Sequence, residues 1–135
     1  MRKTYKFKAK LSKTAKQKAV AWLGLNQKLY NLALEQRITA YRCFGISLTT
    51  YDQHKELPEL KKAFPEFKQV NSQTLQDTVE RLGKAFQGFF SRLKKVGEKA
   101  GFPRFRSFHR YDSFTLKTSG WKLDGRHLKI KGIGI

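Results

Sequence analysis

Residues 3–11, KTYKFKAKL, alternate: Tyr5, Phe7, Ala9 and Leu11 fall on one side, Lys6, Lys8 and Lys10 on the other. A period of two predicts a β-strand with a core face and a cationic face. A lone strand is not stable, so its partners must come from elsewhere in the chain. Past a break at Ser12–Thr14 the period changes. Thr14 with Gln17 offers a capping box, and Ala15, Ala19, Trp22, Leu23, Leu29, Tyr30, Ala33 and Ile38 approximate a helical stripe. The pattern predicts one helix from Ala15 to Cys43, with Gly45 as its C′ residue. At 1.5 Å per residue it would be roughly 43 Å long, which suggests a bend in so small a protein.

Residues 46–71 are the least regular. Thr49 with Asp52, or Thr50 with Gln53, can cap a short helix. Pro58 suits the first turn of another, with Leu57, Leu60 and Phe64 on its apolar side and Pro65 ending it. Ser72 opens a second long helix, to Val96. Its wide stripe of Leu75, Val79, Leu82, Phe86, Phe89, Phe90, Leu93 and Val96 suits packing against the first. Gly97 and Gly101 close the helical part, and Pro103 keeps GFPRFRSFHR out of a helix. Three further strands are predicted at Ser113–Lys117, Gly120–Leu123 and Arg126–Lys131, the last two joined by a tight turn at Asp124-Gly125. Pairing with residues 3–11 makes the helices an insertion in a small sheet. The expected fold is α+β: a small, partly open antiparallel β-barrel interrupted by a helical insertion with two long antiparallel helices. The parts are a first strand (1–12), the insertion (13–100), and a basic linker with C-terminal strands (101–135). So few strands bury little, and the sheet looks unfinished, to be completed by further sequence or by a partner chain.

Composition then narrows the chemistry. The 135 residues include 11 Phe, 5 Tyr and 2 Trp and are 39% hydrophobic, which excludes a disordered tail. Against 10 Asp and Glu stand 29 Lys and Arg, a formal net charge of +19. Such a field favours a polyanion: nucleic acid first, an anionic membrane second. The charge is uneven. Residues 1–34 hold nine cations and no carboxylate, 92–135 hold twelve against Glu98, Asp112 and Asp124, and 47–80 hold four against six. No apolar run reaches the roughly 18–20 residues of a membrane span. The alternating N-terminus does not resemble a signal peptide. A single cysteine, Cys43, excludes an internal disulfide framework, and the expected location is cytoplasmic.

Lys6, Lys8 and Lys10 would form a ladder spaced about 6.6–6.8 Å, suited to a phosphate backbone and equally ordinary for an exposed strand. Arg104, Arg106, Arg110 and Lys117 lie beside Phe102, Phe105 and Phe108, where arginine can bind phosphate and cover a base or ribose. The plainer reading of Phe102 and Phe105 is that they plug the junction of helices and sheet. No carboxylate cluster suits metal-assisted phosphodiester cleavage, and His54, His109 and His127 lack any metal-ligand spacing. Walker and GxGxxG patterns are absent, and Cys43 reads as structural. The isolated chain is therefore expected not to be an enzyme and to hold no cofactor of its own.

Read together, YNLALEQRITAY (30–41), GISLTTYDQHKELPELKK (45–62), VNSQTLQDTVERLGKAFQGFFSRLK (70–94), GFPRFRS (101–107), SFT (113–115) and LDGRHLKI (123–130) resemble, in this order, the N-terminal part of the TnpB (OrfB) insertion-sequence proteins. Members of that family are longer, RNA-guided DNA endonucleases. Their N-terminal portion is a wedge-like β-barrel interrupted by a helical recognition insertion. The resemblance implies a recognition fragment ending inside an incomplete wedge, without the RuvC-like nuclease core. The divalent metal (such as Mg²⁺) and structural Zn²⁺ of full-length relatives belong to parts outside these residues. Implied partners are a guide RNA, duplex DNA and the nuclease half as a separate chain, with no membrane.

The family reads a short target-flanking motif with its helical insertion and wedge. The matching positions here are Thr50 or Tyr51, His54, Ser72, Gln73, Gln76 and Thr115. Gln73 and Gln76 share one face of a helix, and glutamine can bond bidentately to adenine. Ser72 is as well suited to a plain N-cap, and Tyr51 to partial core packing. Two positions depart from the family's usual pattern: Gln27, where many relatives have arginine, and Gly83, where an acidic residue is more usual. A stand-alone sequence-specific DNA-binding regulator and a generic basic RNA-binding protein are the competing readings.

Overall fold

Ser12, not Thr14, begins the first helix. Its Oγ accepts the Ala15 amide at 3.1 Å and satisfies one of the free N–H groups of the first turn. In the computed structural model, which describes residues 4, 8–95, 101–117, 121–125, 127–130 and 133, this helix α1 runs Lys13–Phe44. It ends where expected. Gly45 takes φ 66°, a left-handed conformation open to glycine, and its amide bonds the Tyr41 carbonyl at 2.9 Å.

Residues 50–63 form one helix, α2 (Thr50–Ala63), not two short ones. Both halves of the Thr49–Asp52 capping box are present: the Asp52 amide donates to Thr49 Oγ1 at 3.2 Å, and the Thr49 amide to Asp52 Oδ2 at 3.0 Å. Pro58 lies inside this helix instead of opening another. Its cost of roughly 3 kcal/mol is offset by the packing of Gln53, Leu57 and Leu60 on the neighbouring helices. Pro65 does stop α2, and Pro65–Gln69 turns as a 3₁₀ helix that drops Phe67 into the core.

The second long helix, α3 (Ser72–Leu93), is capped by Asn71, whose side chain accepts the Gln73 amide at 2.8 Å. Ser72 is thus the first helical residue and not the N-cap. Helix α3 ends before Val96, which lies outside the described residues, as does Gly97.

The chain direction of the helices differs from the expectation. Gln53 reaches Ala33, Gln36 and Arg37 of α1, while His54 meets Gln76 and Lys61 meets Ser72 of α3. Asn26 faces Thr74 and Thr78, and Arg37 lies over Phe86. Helix α2 therefore runs back along both long helices, and α1 and α3 are parallel. The reason is simple: α2 is a full returning helix, where the sequence had suggested fragments within a connection.

Two apolar clusters fill the bundle. One joins Trp22, Leu25 and Leu29 of α1 to Leu57, Phe67, Val70, Leu75 and Val79; the other joins Tyr30, Ala33 and Leu34 to Leu82, Phe86 and Tyr111. Between them lies a buried polar ladder. Asn26 Nδ2 donates to the Trp22 carbonyl at 3.0 Å, Thr78 Oγ1 bonds Asn26 Oδ1 at 2.7 Å, and the Tyr111 hydroxyl meets Thr78 Oγ1 at 2.7 Å. No described buried side-chain N or O lacks a partner, as so costly a location requires.

Among the described residues the sheet is one antiparallel hairpin, β1 (Trp121–Asp124) and β2 (His127–Ile130), with Trp121 opposite Ile130 and Asp124 opposite His127. Of the expected turn pair, Asp124 belongs to β1 and Gly125, at φ 60°, lies in the turn. The mixed α+β class is as expected, but the described strands do not close into a barrel. Residues 8–11 are exposed and not in a strand, so Lys8 and Lys10 form no strand ladder. Tyr5, Lys6 and Phe7 lie outside the described residues.

Residues 113–117 are not a strand either, because α3 side chains take their backbone bonds. Arg81 Nη1 donates to the Ser113 carbonyl at 2.8 Å, and Gln73 Oε1 accepts the Lys117 amide at 3.1 Å. Phe114 and Leu116 pack onto the helical core, with the Phe114 ring 5.5 Å from that of Trp22. The C-terminal segment thus meets the start of α1 through side chains, not strand pairing. Among the described residues, no helix is long and apolar enough to cross a membrane.

Candidate nucleic-acid interface

Residues 101–110 form no strand, and side chains of α1 and α3 hold them instead. Asn31 grips the backbone of Arg106 on both sides: its Nδ2 donates to the Arg106 carbonyl at 2.9 Å, and its Oδ1 accepts the Arg106 amide at 2.8 Å. Gln27, one turn earlier, adds a bond to the same carbonyl at 2.8 Å. The Arg106 guanidinium lies 4.9 Å above the ring of buried Tyr30, a favourable cation–π placement. Phe102 stands edge-on to Phe86 and Phe89, with ring centroids 5.6 and 5.2 Å away. It therefore packs on the end of α3 and does not plug a helix–sheet junction, while Phe105 is exposed.

Lys84, Gly88 and Arg92 recur every four residues and line one face of α3. A Cβ on Gly88 would come within 3.2 Å of Arg92 Nη1, so glycine leaves room for that side chain. Arg92 Nη2 then reaches the Gly101 carbonyl at 3.2 Å. Between this face and the 101–110 segment opens a cleft of about 660 Å³. Lys84, Arg92, Arg104, Arg106 and Arg110 all line it, and among the described residues no carboxylate does. Phosphate esters are the natural complement to such a group of cations.

The other expected contacts do not join this cleft. Thr50 is committed to the helix contacts: its Oγ1 accepts from Arg37 Nη2 at 3.3 Å and lies against Gly83. Tyr51 is exposed, not packed in the core, with the Lys55 ammonium 4.4 Å from its ring. His54 Nε2 is 3.1 Å from the Gln76 carbonyl and must carry its proton there to donate. Ser72 Oγ accepts from Lys61 Nζ at 2.6 Å. Gln73 holds the Lys117 backbone, Gln76 is exposed beside it, and Thr115 Oγ1 accepts from Arg81 Nη2 at 3.1 Å. Lys117 Nζ bonds both oxygens of Glu80, at 2.8 and 2.9 Å, and Arg81 pairs with Asp77 at 2.8 Å.

Nine of the candidates thus fall into two groups. His54, Ser72, Gln73, Gln76, Thr115 and Lys117 gather along the first half of α3, where carboxylates balance the cations. Arg104, Arg106 and Arg110 gather with Lys84 and Arg92 in the basic cleft. Lys8 and Lys10 are exposed ahead of α1.

Among the described residues three groups have displaced ionisation. Burial lowers the Arg37 pKa, partly offset by Asp52. The two hydrogen bonds from Thr49 lower that of Asp52. Burial raises that of Tyr111, against the weaker pull of Thr78 and Arg81. None of these groups lies in the cleft. Among the described residues no three His, Cys, Asp or Glu side chains gather to hold a metal ion, and Cys43 is exposed on the last turn of α1.

Four residues that matter to the cleft were not singled out from the sequence as cleft residues. Lys84 and Arg92 were legible in their i, i+8 spacing with glycine midway. Gln27 and Asn31 carried only the weaker sign of two amides one turn apart. No family model matches the chain, and no curated protein matches it.

Proposed function

We propose that this protein binds nucleic acid through the sugar–phosphate backbone, with the cleft between α3 and residues 101–110 as the contact. One observation carries the reading: five cationic side chains converge there with no carboxylate among the described lining residues, while the α3 carboxylates Asp77 and Glu80 are paired. Preorganisation adds to it, since the Asn31–Arg106 clamp and the Phe102 contacts fix the backbone that carries the arginines.

On the resemblance to TnpB proteins, the wider proposal is a recognition fragment of a transposon-encoded RNA-guided endonuclease. The β1–β2 hairpin then supplies two strands of an incomplete wedge. The cleft holds guide RNA backbone, and exposed Gln76 with Gln73 faces the flanking DNA motif. On this reading these residues serve binding and not cleavage.

The test is fluorescence anisotropy with labelled single-stranded RNA and duplex DNA across a salt series. Affinity should fall linearly with log salt, with a slope of about −0.9 per phosphate contacted in duplex and about −0.7 in single strands. The K84A/R104A/R110A variant should weaken binding to every sequence and flatten the slope by two to three phosphate equivalents. Unchanged affinity and slope in that variant would sink the cleft as the binding site.

A further inference from the structure

Phe102 is a wall shared by the basic cleft and a second cavity of about 590 Å³, set between the last turns of α1 and α3. The parallel arrangement of those helices creates it, by ending both on the same side. Five rings line it, Tyr41 from α1, Phe86, Phe89 and Phe90 from α3, and Phe102, with Arg37 and Arg42 beside them and no carboxylate among the described residues. Tyr41 is 66% exposed and Phe90 is 53% exposed, so large aromatic surface faces solvent beside a charged cleft.

Three occupants suit apolar surface in general: a second copy, an apolar segment of another protein, or a base. A formal net charge of +19 opposes a second copy. Aromatic faces next to a cationic track favour the base, because a strand held by its phosphates delivers its bases to adjoining rings. We propose that this aromatic pocket takes an unpaired base of a single-stranded nucleic acid whose phosphates occupy the adjoining cleft. The inference rests on the cleft reading and adds to it a preference for unpaired strands. A fully paired duplex keeps its bases stacked inside and cannot fill the pocket.

The test compares three labelled probes of one length: a single-stranded RNA, the same strand with abasic sites at alternate positions, and a duplex. They are titrated against wild type and Y41A/F90A, two exposed positions whose truncation spares the core. Wild type should bind the intact strand about ten-fold more tightly than the abasic one. Y41A/F90A should lose that ten-fold, with an unaltered salt slope and unaltered duplex binding. The inference is overturned if wild type binds both strands equally, or if Y41A/F90A weakens duplex as much as single strand. It is also overturned if an acidic amphipathic peptide binds wild type but not Y41A/F90A while RNA binds both alike. Failure of wild type to bind any probe at low salt defeats the cleft reading itself, whereas tight binding that ignores bases defeats only the pocket.

Discussion

Gly83 is buried at the middle of α3, where helix propensity alone favours alanine by about 1 kcal/mol. The structure predicts the opposite sign. A Cβ at position 83 would run into Thr50 Oγ1, with Thr50 Cβ at 3.4 Å and Cγ2 at 3.8 Å behind it. Thr50 can yield only by rotating about a stiff β-branched χ1, which breaks its bond from Arg37, or by shifting the start of α2. Overpacking of this kind costs about 1–3 kcal/mol, and loss of the hydrogen bond adds about 1. Against the propensity gain, Gly83→Ala should therefore destabilise by about 1–3 kcal/mol. In a chain of this length that lowers Tm by roughly 4 °C per kcal/mol.

A double-mutant cycle with Thr50→Ala isolates the contact. Truncation removes Oγ1, so Gly83→Ala in that background should stabilise by about 1 kcal/mol, and the coupling between the two sites should reach about 2–4 kcal/mol. Urea unfolding followed by circular dichroism measures all four corners. If Gly83→Ala stabilises the wild type as much as the Thr50→Ala protein, α2 and α3 do not approach as described. The same contact leaves no room at position 83 for any side chain, a carboxylate included, because it would collide with α2.

Two further predictions concern the polar ladder. Asn26→Ala removes the group that links Trp22, Thr74 and Thr78 and leaves a void between the helices, at a cost of about 2–3 kcal/mol in urea unfolding; a loss under about 0.5 would show the ladder to be incidental. Tyr111 has its pKa raised by burial, so the unfolded chain ionises near pH 10 while the folded one stays neutral. Its contribution is complete below about pH 10 and is lost as pH rises toward the folded value. Tyr111→Phe should flatten stability above about pH 10, and an equal alkaline loss in both proteins would refute the assignment.

Caps and stripes were legible in the sequence where the cause is local. Gly45, the Thr49–Asp52 box and the stop at Pro65 each depend on neighbouring residues alone. The failures were tertiary. Lysine–apolar alternation in KTYKFKAKL suggested a strand, yet Leu11 is 52% exposed and the described part is unpaired. Alternation in 113–117 was real, since Phe114 and Leu116 do turn inward. They face helices, and Arg81 and Gln73 satisfy the backbone that a neighbouring strand would have paired. Pro58 hid a complete helix, and with it the direction of α3. Among the site residues, the arginines of 104–110 were legible as a basic run, but their partners on α3 were not, because proximity of 84 and 92 to 101–110 follows from the chain reversal.

Parallel helices also set how the positive charge should be interpreted. Ending α1 and α3 on one side places two negative helix termini together, and Arg42 and Arg92 lie in those last turns. Part of the cationic character there answers the helix ends and would be expected in a protein that binds nothing. Arg106 is similarly divided, because its ring contact with Tyr30 and the Asn31 clamp both serve packing. Lys84, Arg104 and Arg110 carry no such duty: Lys84 lies before the last turn, and the two arginines extend from a segment held at other residues. A binding loss on replacing these three reports on a polyanion, whereas replacing Arg92 mixes binding with helix stability. That separation makes the triple variant decisive, and it predicts that Arg92→Ala lowers Tm while K84A/R104A/R110A, by relieving repulsion among like charges, leaves it unchanged or raises it slightly.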